Sequence, residues 1–226
     1  MGGLATGTSG LRPLGVLQHL RRNPTILCIG AHCDDIEIGC GATILRLLRE
    51  RKDVSVRWVV LSSTKARARE AAAAADLFLR GARRREVRIE AFTDGHFPYQ
   101  GAEIKACFER LKSDPAPDLI FTHYRDDRHQ DHRVVSDTTW QTFRDATILE
   151  YEIPKYDGDL GAPNVFVEVD RATCERKIRY LTRCYATQRV KPWFTAETLR
   201  SLLSLRAMES RAPRYAEAFY GRKLVF

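Results

Sequence analysis

The sequence predicts an α/β protein, a Rossmann-like three-layer fold with a mostly parallel sheet, on three observations. Compact apolar runs with β-branched content alternate with helical stretches along most of the chain, and such alternation builds right-handed strand-helix-strand units on a parallel sheet. Turn residues punctuate the joints between them. Polar residues crowd immediately after two of the strands, where open α/β sheets hold their ligands.

The elements follow in order. Residues 1–22 are Gly-rich and then basic, and read as a tail or one short helix before Asn23-Pro24. Thr25 to Ala31 (T-I-L-C-I-G-A) is the first strand; a polar loop follows, then a helix over Ala42 to Arg51. Val54 to Ser62 is the second strand, and Ala66 to Gly81 an Ala-rich helix that Gly81 stops. Val87 to Phe92 makes the third strand. Ile104 to Lys112 is helical, Asp114-Pro115-Ala116-Pro117 breaks it, and Asp118 to Thr122 is the fourth strand. Helical patterns return over Val134 to Arg144, Ala172 to Cys184 and Thr195 to Met208, with Glu150 to Pro154 and Val165 to Val169 less regular. No internal repeat and no linker divides the chain.

At 226 residues the chain is one ordinary domain by length, able to bury roughly 70–75% of its unfolded surface without staples. With 44% hydrophobic and 29% charged residues, disordered, collagen-like and coiled-coil classes are excluded. The apolar runs fall far short of the ~20 residues that span a bilayer. Thirty-seven basic against 29 acidic residues leave a net charge of +8, yet the cluster Arg80, Arg83, Arg84, Arg85 and Arg88 has no interleaved aromatic residues and reads as a solvated face, not a nucleic-acid surface. The six cysteines form no C-x-x-C pair and no signal-peptide core opens the chain, so reduced thiols and a cytoplasmic location are expected. The opening M-G-G-L-A-T fits the N-myristoylation pattern, which is short and common by chance. Trp58, Trp140 and Trp193 are expected in the core or at subunit contacts, which leaves room for a homo-oligomer.

Two loops carry the chemistry. Ala31-His32-Cys33-Asp34-Asp35-Ile36-Glu37-Ile38-Gly39-Cys40-Gly41 leaves the first strand, and Arg125-Asp126-Asp127-Arg128-His129-Gln130-Asp131-His132 leaves the fourth. Crowded carboxylates raise one another's pKa, and a cation relieves the repulsion. Two ligands close in sequence with a third far along the chain, and a fourth position left for water, is the usual catalytic zinc arrangement. His32, Asp35 and His132 satisfy it. Alone, His32-x-x-Asp35 would read as a helix cap or surface polarity; the second loop tips the balance toward a shared metal site.

These loops resemble the PIG-L/LmbE de-N-acetylases. The first resembles their A-H-P-D-D-x-x-x-G-x-G signature, and His129-Gln130-Asp131-His132 their H-P-D-H block. Arg67-Ala68-Arg69-Glu70 is similar to their R-x-x-E helix, Asp94-Gly95 to their D-G turn, and Tyr215-Ala216-Glu217-Ala218-Phe219 to a frequent Y-A-E-A-F, so the likeness runs over roughly residues 25–220. It implies a single deacetylase domain over 23–226 that removes an acetyl group from an N-acetylated amino sugar or glycoconjugate. It further implies His32, Asp35 and His132 as ligands of Zn²⁺ or alternatively Fe²⁺, Asp34 as general base, and His129 as acid or oxyanion stabiliser, with Asp131 steadying the His129 imidazolium. Arg67, Asp94 and Arg125 are expected to touch substrate, and His19, His96 and His123 to be structural or on the surface. The sequence departs from the family pattern at Cys33, which stands for a proline and is expected to be a bystander, and at Leu61-Ser62-Ser63-Thr64-Lys65, which lacks a Gly-rich T-x-G-E-x-G loop. Two other readings compete: a non-haem iron oxygenase, which shares the two-histidine, one-carboxylate set, and a non-enzymatic nucleotide or nucleic-acid binder using the basic charge.

Overall fold

The computed structural model describes residues 20–112 and 115–224. The expected tail or short helix over 1–22 falls outside them up to residue 19, as does His19. Strands β1 (Thr25–Gly30), β2 (Ser55–Ser62), β3 (Arg84–Phe92), β4 (Leu119–His123), β5 (Thr147–Tyr151), β6 (Val165–Val169) and β7 (Tyr215–Gly221) form one sheet. Helices α1 (Asp35–Glu50), α2 (Lys65–Phe78), α3 (Gly101–Lys112), α4 (Gln130–Thr142), α5 (Arg171–Cys184) and α6 (Ala196–Ser210) cover it. The strand order is β3-β2-β1-β4-β5-β7-β6. The first five strands are parallel, and β7 and β6 join antiparallel.

The three layers can be read off single strands. Along β1, Ile26 and Cys28 pack into a core with Leu47, Phe78, Ile178 and Leu203 of α1, α2, α5 and α6, while Leu27 and Ile29 pack with Ile104 and Phe108 of α3 and Val135 of α4. A parallel strand covered on both faces must be apolar at successive positions, which is why these strands stand out in the sequence.

Several boundaries differ from the expected ones: β3 starts at Arg84, α4 at Gln130 and β5 at Thr147, each three or four residues early, and two further differences bear on the site. Helix α1 begins at Asp35, not Ala42, and so contains Gly39 and Gly41. These glycines do not turn the backbone near the metal loop; they let neighbours approach the helix. A Cβ on Gly39 would stand 2.2 Å from the Tyr151 ring, and one on Gly41 2.6 Å from Phe78. Residues 215–219, recognised only as a motif, lie in β7, the strand that turns the sheet antiparallel.

The chain runs outward from β1 to β2 and β3 and then returns to place β4 on the other side of β1, so the order reverses between β1 and β4. At that point the loops leaving two adjacent strands diverge and open a crevice. Both acid-histidine loops leave there.

Because the Tyr151 ring occupies the space a side chain would need, Gly39→Ala is expected to destabilise the protein by about 1–3 kcal/mol through overpacking, lowering the melting temperature by about 2–4 °C for each kcal/mol. An unchanged thermal melt would show that the glycine is not required for this contact.

Candidate metal centre

The first loop is short and tightly held. Ser62 N–H donates to Ala31 O (2.8 Å), and Asp34 precedes α1 in the left-handed region, with φ of 101°. A non-glycine residue there costs about 1–3 kcal/mol and persists only where the surroundings impose it. At this position the Asp34 carbonyl accepts the Ile38 N–H (2.9 Å) and starts the helix. Its side chain makes no capping bond and turns instead to Arg67.

Three atoms converge. His32 Nδ1 lies 3.2 Å from His132 Nε2 and 3.4 Å from Asp35 Oδ2, and His132 Nε2 lies 3.6 Å from the same oxygen. All three residues are buried. Ligand bonds of about 2.0–2.2 Å at tetrahedral angles put ligand atoms about 3.3–3.6 Å apart, so the spacing suits one small cation.

The far sides of the rings fix which nitrogens face the centre. His32 Nε2 is 3.1 Å from both Asp131 Oδ2 and Asp94 Oδ1, and His132 Nδ1 is 2.9 Å from Asp127 Oδ2. Those nitrogens donate to the carboxylates, and His32 Nδ1 and His132 Nε2 are left with lone pairs pointing at Asp35. Carboxylates behind metal-binding histidines do the same elsewhere. The electrostatics ask for positive charge: burial disfavours charge on His32, yet Asp131, Asp35 and Asp94 outweigh it and hold its pKa well above 6.5. Burial and the neighbouring His123 push His132 the other way, to about 3, which keeps it neutral. Burial opposes ionisation of Asp35 as well, but the surrounding histidines, with hydrogen bonds from His123 and His32 among them, outweigh it and hold its pKa well below the ordinary carboxylate range.

Asp34 sits beside this group without joining it. Its Oδ1 accepts from Arg67 Nη2 (3.3 Å), and its buried Oδ2 has no partner. Burial and the adjacent Asp35 push its pKa up to about 7. Arg67 reaches the loop because Thr64 caps α2 and sets the first turn of that helix against it; the same Nη2 donates to Cys33 O at 2.6 Å. Arg67 does not pair with Glu70, which holds Thr187 N and Oγ1 instead.

The structure brings His32, Asp34, Asp35, Arg67, Asp94, His129, Asp131 and His132 together. Their partners differ from expectation in two places. The Asp131 carboxylate faces His32, because it lies in the first turn of α4 and accepts the Gly95 and Phe97 N–H groups (2.7 and 3.1 Å). His129 caps that helix, its Nδ1 accepting the Asp131 N–H, which leaves Nε2 able to carry a proton; burial and nearby His32 lower its pKa. Arg125 is drawn to the buried Glu150, stacks over Trp140 and shares that carboxylate with Arg222. Cys33 is buried with its thiol toward Ser62 O, and burial pushes its pKa up to about 12, far from a thiolate.

Sequence reasoning gave Asp127 no role and took His123 as structural or on the surface. Asp127 also accepts the His129 N–H (2.8 Å) and pairs with Lys155 (3.0 Å); its only signal was its place in the acidic loop. His123, the last residue of β4, is fully buried, stacks on His132 with ring centres 3.9 Å apart and accepts the Ala31 N–H at 2.9 Å. The same Nε2 lies 3.1 Å from Asp35 Oδ2, so the ring supports the first loop from below and borders the carboxylate of the cluster.

A model of the PIG-L family, GlcNAc-PI de-N-acetylase, matches residues 27–143, just over half of the chain. The chain belongs to the PIG-L family. Membership makes it an N-deacetylase, and the match spans both acid-histidine loops. Comparison with curated proteins gives no match. Among solved structures, N,N'-diacetylchitobiose deacetylase from Pyrococcus horikoshii is similar at 22% identity and TM-score 0.67, over 91% of this chain and 88% of its own. The zinc-inhibited form of teicoplanin deacetylase Orf2 is similar at 15% identity and TM-score 0.68, over 87% and 97%. GalB, the 4-carboxy-2-hydroxymuconate hydratase of Pseudomonas putida KT2440, is similar at 16% identity and TM-score 0.71, over 90% and 98%. At such identities the likeness establishes the fold. In this PIG-L member no helix of the described residues is long and apolar enough to cross a membrane.

The raised pKa of Asp34 has a consequence for stability. A carboxyl whose folded pKa lies near 7, against about 3.9 unfolded, binds its proton more tightly in the folded state, so its contribution is full at low pH and is lost as pH rises from about 4 to 7. In metal-stripped protein, Asp34→Asn is therefore expected to melt above the wild type at pH 8, with the gap closing toward pH 4. A gap independent of pH would contradict this environment for Asp34.

Proposed function

We propose that this PIG-L protein removes the acetyl group from an N-acetylated amino sugar or its glycoconjugate, with Zn²⁺ or Fe²⁺ held by His32, Asp35 and His132. The single observation that carries the reading is the convergence of His32 Nδ1, Asp35 Oδ2 and His132 Nε2 within 3.2–3.6 Å: two lone pairs and a carboxylate oxygen facing one another in a buried site need a cation between them. When bound, the ion would polarise the amide carbonyl and lower the pKa of a water molecule.

The remaining work falls to this chain's own side chains. Asp34 presents an unpartnered oxygen, Oδ2, beside the cluster, and burial raises its pKa above the ordinary carboxylate range, which suits it to taking a proton from the attacking water and handing it to the departing amine. Arg67 fixes the other oxygen and so aims the carboxylate. His129, with Nε2 free to donate, stands where a developing oxyanion could be stabilised; its ring lies 4.8 Å from that of His32. Asp131 and Asp127 hold His32 and His132 in the tautomers that face the centre. Arg67 and Asp94 carry the donors and acceptors that sugar hydroxyls require, although both are already engaged with the site. Arg125, spent on Glu150, is not assigned a substrate role.

The reading is tested by amine release from a panel of N-acetylglucosamine conjugates. Chelation should abolish turnover and Zn²⁺ or Fe²⁺ restore it, and Asp34→Asn should lower kcat by about 10²–10⁴-fold with metal still bound. Protein that binds neither metal stoichiometrically would sink the proposal. Behind the ligands, Asp127→Asn is expected to weaken metal binding by about 10–100-fold, measured by chelator competition; unchanged affinity would remove Asp127 from the site.

A further inference from the structure

Glycines at 39 and 41 and an early start at Asp35 leave the first two turns of α1 poor in intrinsic helix preference. Something else must hold them. The backbone groups at this level are served by side chains from two distant elements. Lys177 of α5 donates to Ile38 O (2.5 Å), while Glu217 of β7 accepts the N–H groups of Ala42 (2.8 Å) and Thr43 (2.6 Å) in mid-helix. Lys177 and Glu217 also bind each other at 2.6 Å, both nearly inaccessible to solvent. In an uninterrupted helix, Ile38 O would be the acceptor of the Ala42 N–H. The ion pair thus engages groups of two successive rungs of the α1 ladder, that of Ile38 with Ala42 and the N–H of the next at Thr43, the kind of insertion that redirects a helix.

The turn beyond those rungs is the one that bears Asp34 and Asp35. Its side chains are held at several points, Ile36 and Ile38 in the core and Glu37 by Tyr185 Oη (2.5 Å), while Gly39 contributes only the face against which the Tyr151 ring lies; the backbone at Ile38, Ala42 and Thr43 is what Lys177 and Glu217 serve. Burying two charges is costly and rarely adds net stability over apolar residues of similar size, whereas it can impose one specific geometry. We propose that Lys177 and Glu217 are positioning residues for the deacetylase site: wedged into α1, they set the direction of its first turn and thereby the placement of the Asp34-Asp35 pair. The proposal rests on the metal-dependent reading of that pair and goes beyond it, since neither residue touches the cluster.

The double variant Lys177→Met/Glu217→Leu tests it, because it removes both charges and lets the ladder close on itself. It is expected to fold and melt near the wild type, while kcat falls about 10–100-fold with KM little changed and the affinity of metal-stripped protein for Zn²⁺ drops about tenfold. Hydrogen exchange at Ala42 and Thr43 should change in the same protein. A stable double variant with wild-type kcat, Zn²⁺ affinity and exchange would overturn the proposal, as would a kcat loss fully accounted for by unfolding. Should the single variants fail to fold, the double variant still decides. Wild-type protein that neither binds Zn²⁺ nor releases amine would instead defeat the metal-dependent reading, and the exchange measurement would continue to judge the wedge.

Discussion

Two imidazole lone pairs and a carboxylate oxygen meet in a space from which water is largely excluded, and most of the architecture around the crevice serves to make that meeting tolerable. Each ring is backed by a carboxylate, and each of those is itself satisfied: Asp131 by two backbone N–H groups, Asp127 by one and by Lys155. Such a shell stabilises a cation and disfavours an empty centre. The raised pKa of His32 expresses the same demand through a proton. A buried polar cluster of this density is costly unless its members are paired; Asp34 Oδ2, Arg67 Nε and His123 Nδ1 are left without partners, and Asp34 Oδ2 is the one the proposed chemistry calls on.

The sheet makes this arrangement reachable. His32 and His132 are 100 residues apart, but β1 and β4 are direct neighbours in register from Ile26 against Leu119 to Cys28 against Phe121. The loops leaving them must therefore begin side by side. His123, ending β4, bonds to Ala31 just beyond β1 and ties the two exits together at their base. The antiparallel pair β7 and β6 matters for a different reason. It carries Glu217 to the flank of α1, joining the far edge of the sheet to the helix that bears two of the site's acids.

What was legible in the sequence divides along a physical line. Residues that their own loop brings together could be found: His32, Asp34 and Asp35 share one turn, and His129 and His132 one helix start. The sheet's parallel half was legible too, since a strand buried on both faces writes an unbroken apolar run. Pairings made across the fold left no mark in the spacing. Nothing in sequence tells that Asp131 would face His32 in preference to its neighbour His129, that Glu150 would claim Arg125, or that Glu70 would reach Thr187. The start of α1 was missed because Gly39 and Gly41 read as loop residues, while the energy that keeps them helical comes from Tyr151, Lys177 and Glu217, which lie more than a hundred positions away.

The same division bears on how the family pattern can vary. Cys33 stands where the PIG-L/LmbE pattern has proline, and the loop after β2 lacks the Gly-rich stretch of that pattern; Asp34 nevertheless has a positive φ. Its positive φ is imposed from outside the loop: Arg67 grips both Cys33 O and the Asp34 side chain, and the Ser62 backbone holds Ala31. A proline at 33 would restrict the loop through its own ring; here a guanidinium and a strand edge perform that restriction through hydrogen bonds. Arg67, which looks in sequence like a substrate contact, is therefore also a residue that holds the backbone at Cys33 and the side chain at Asp34.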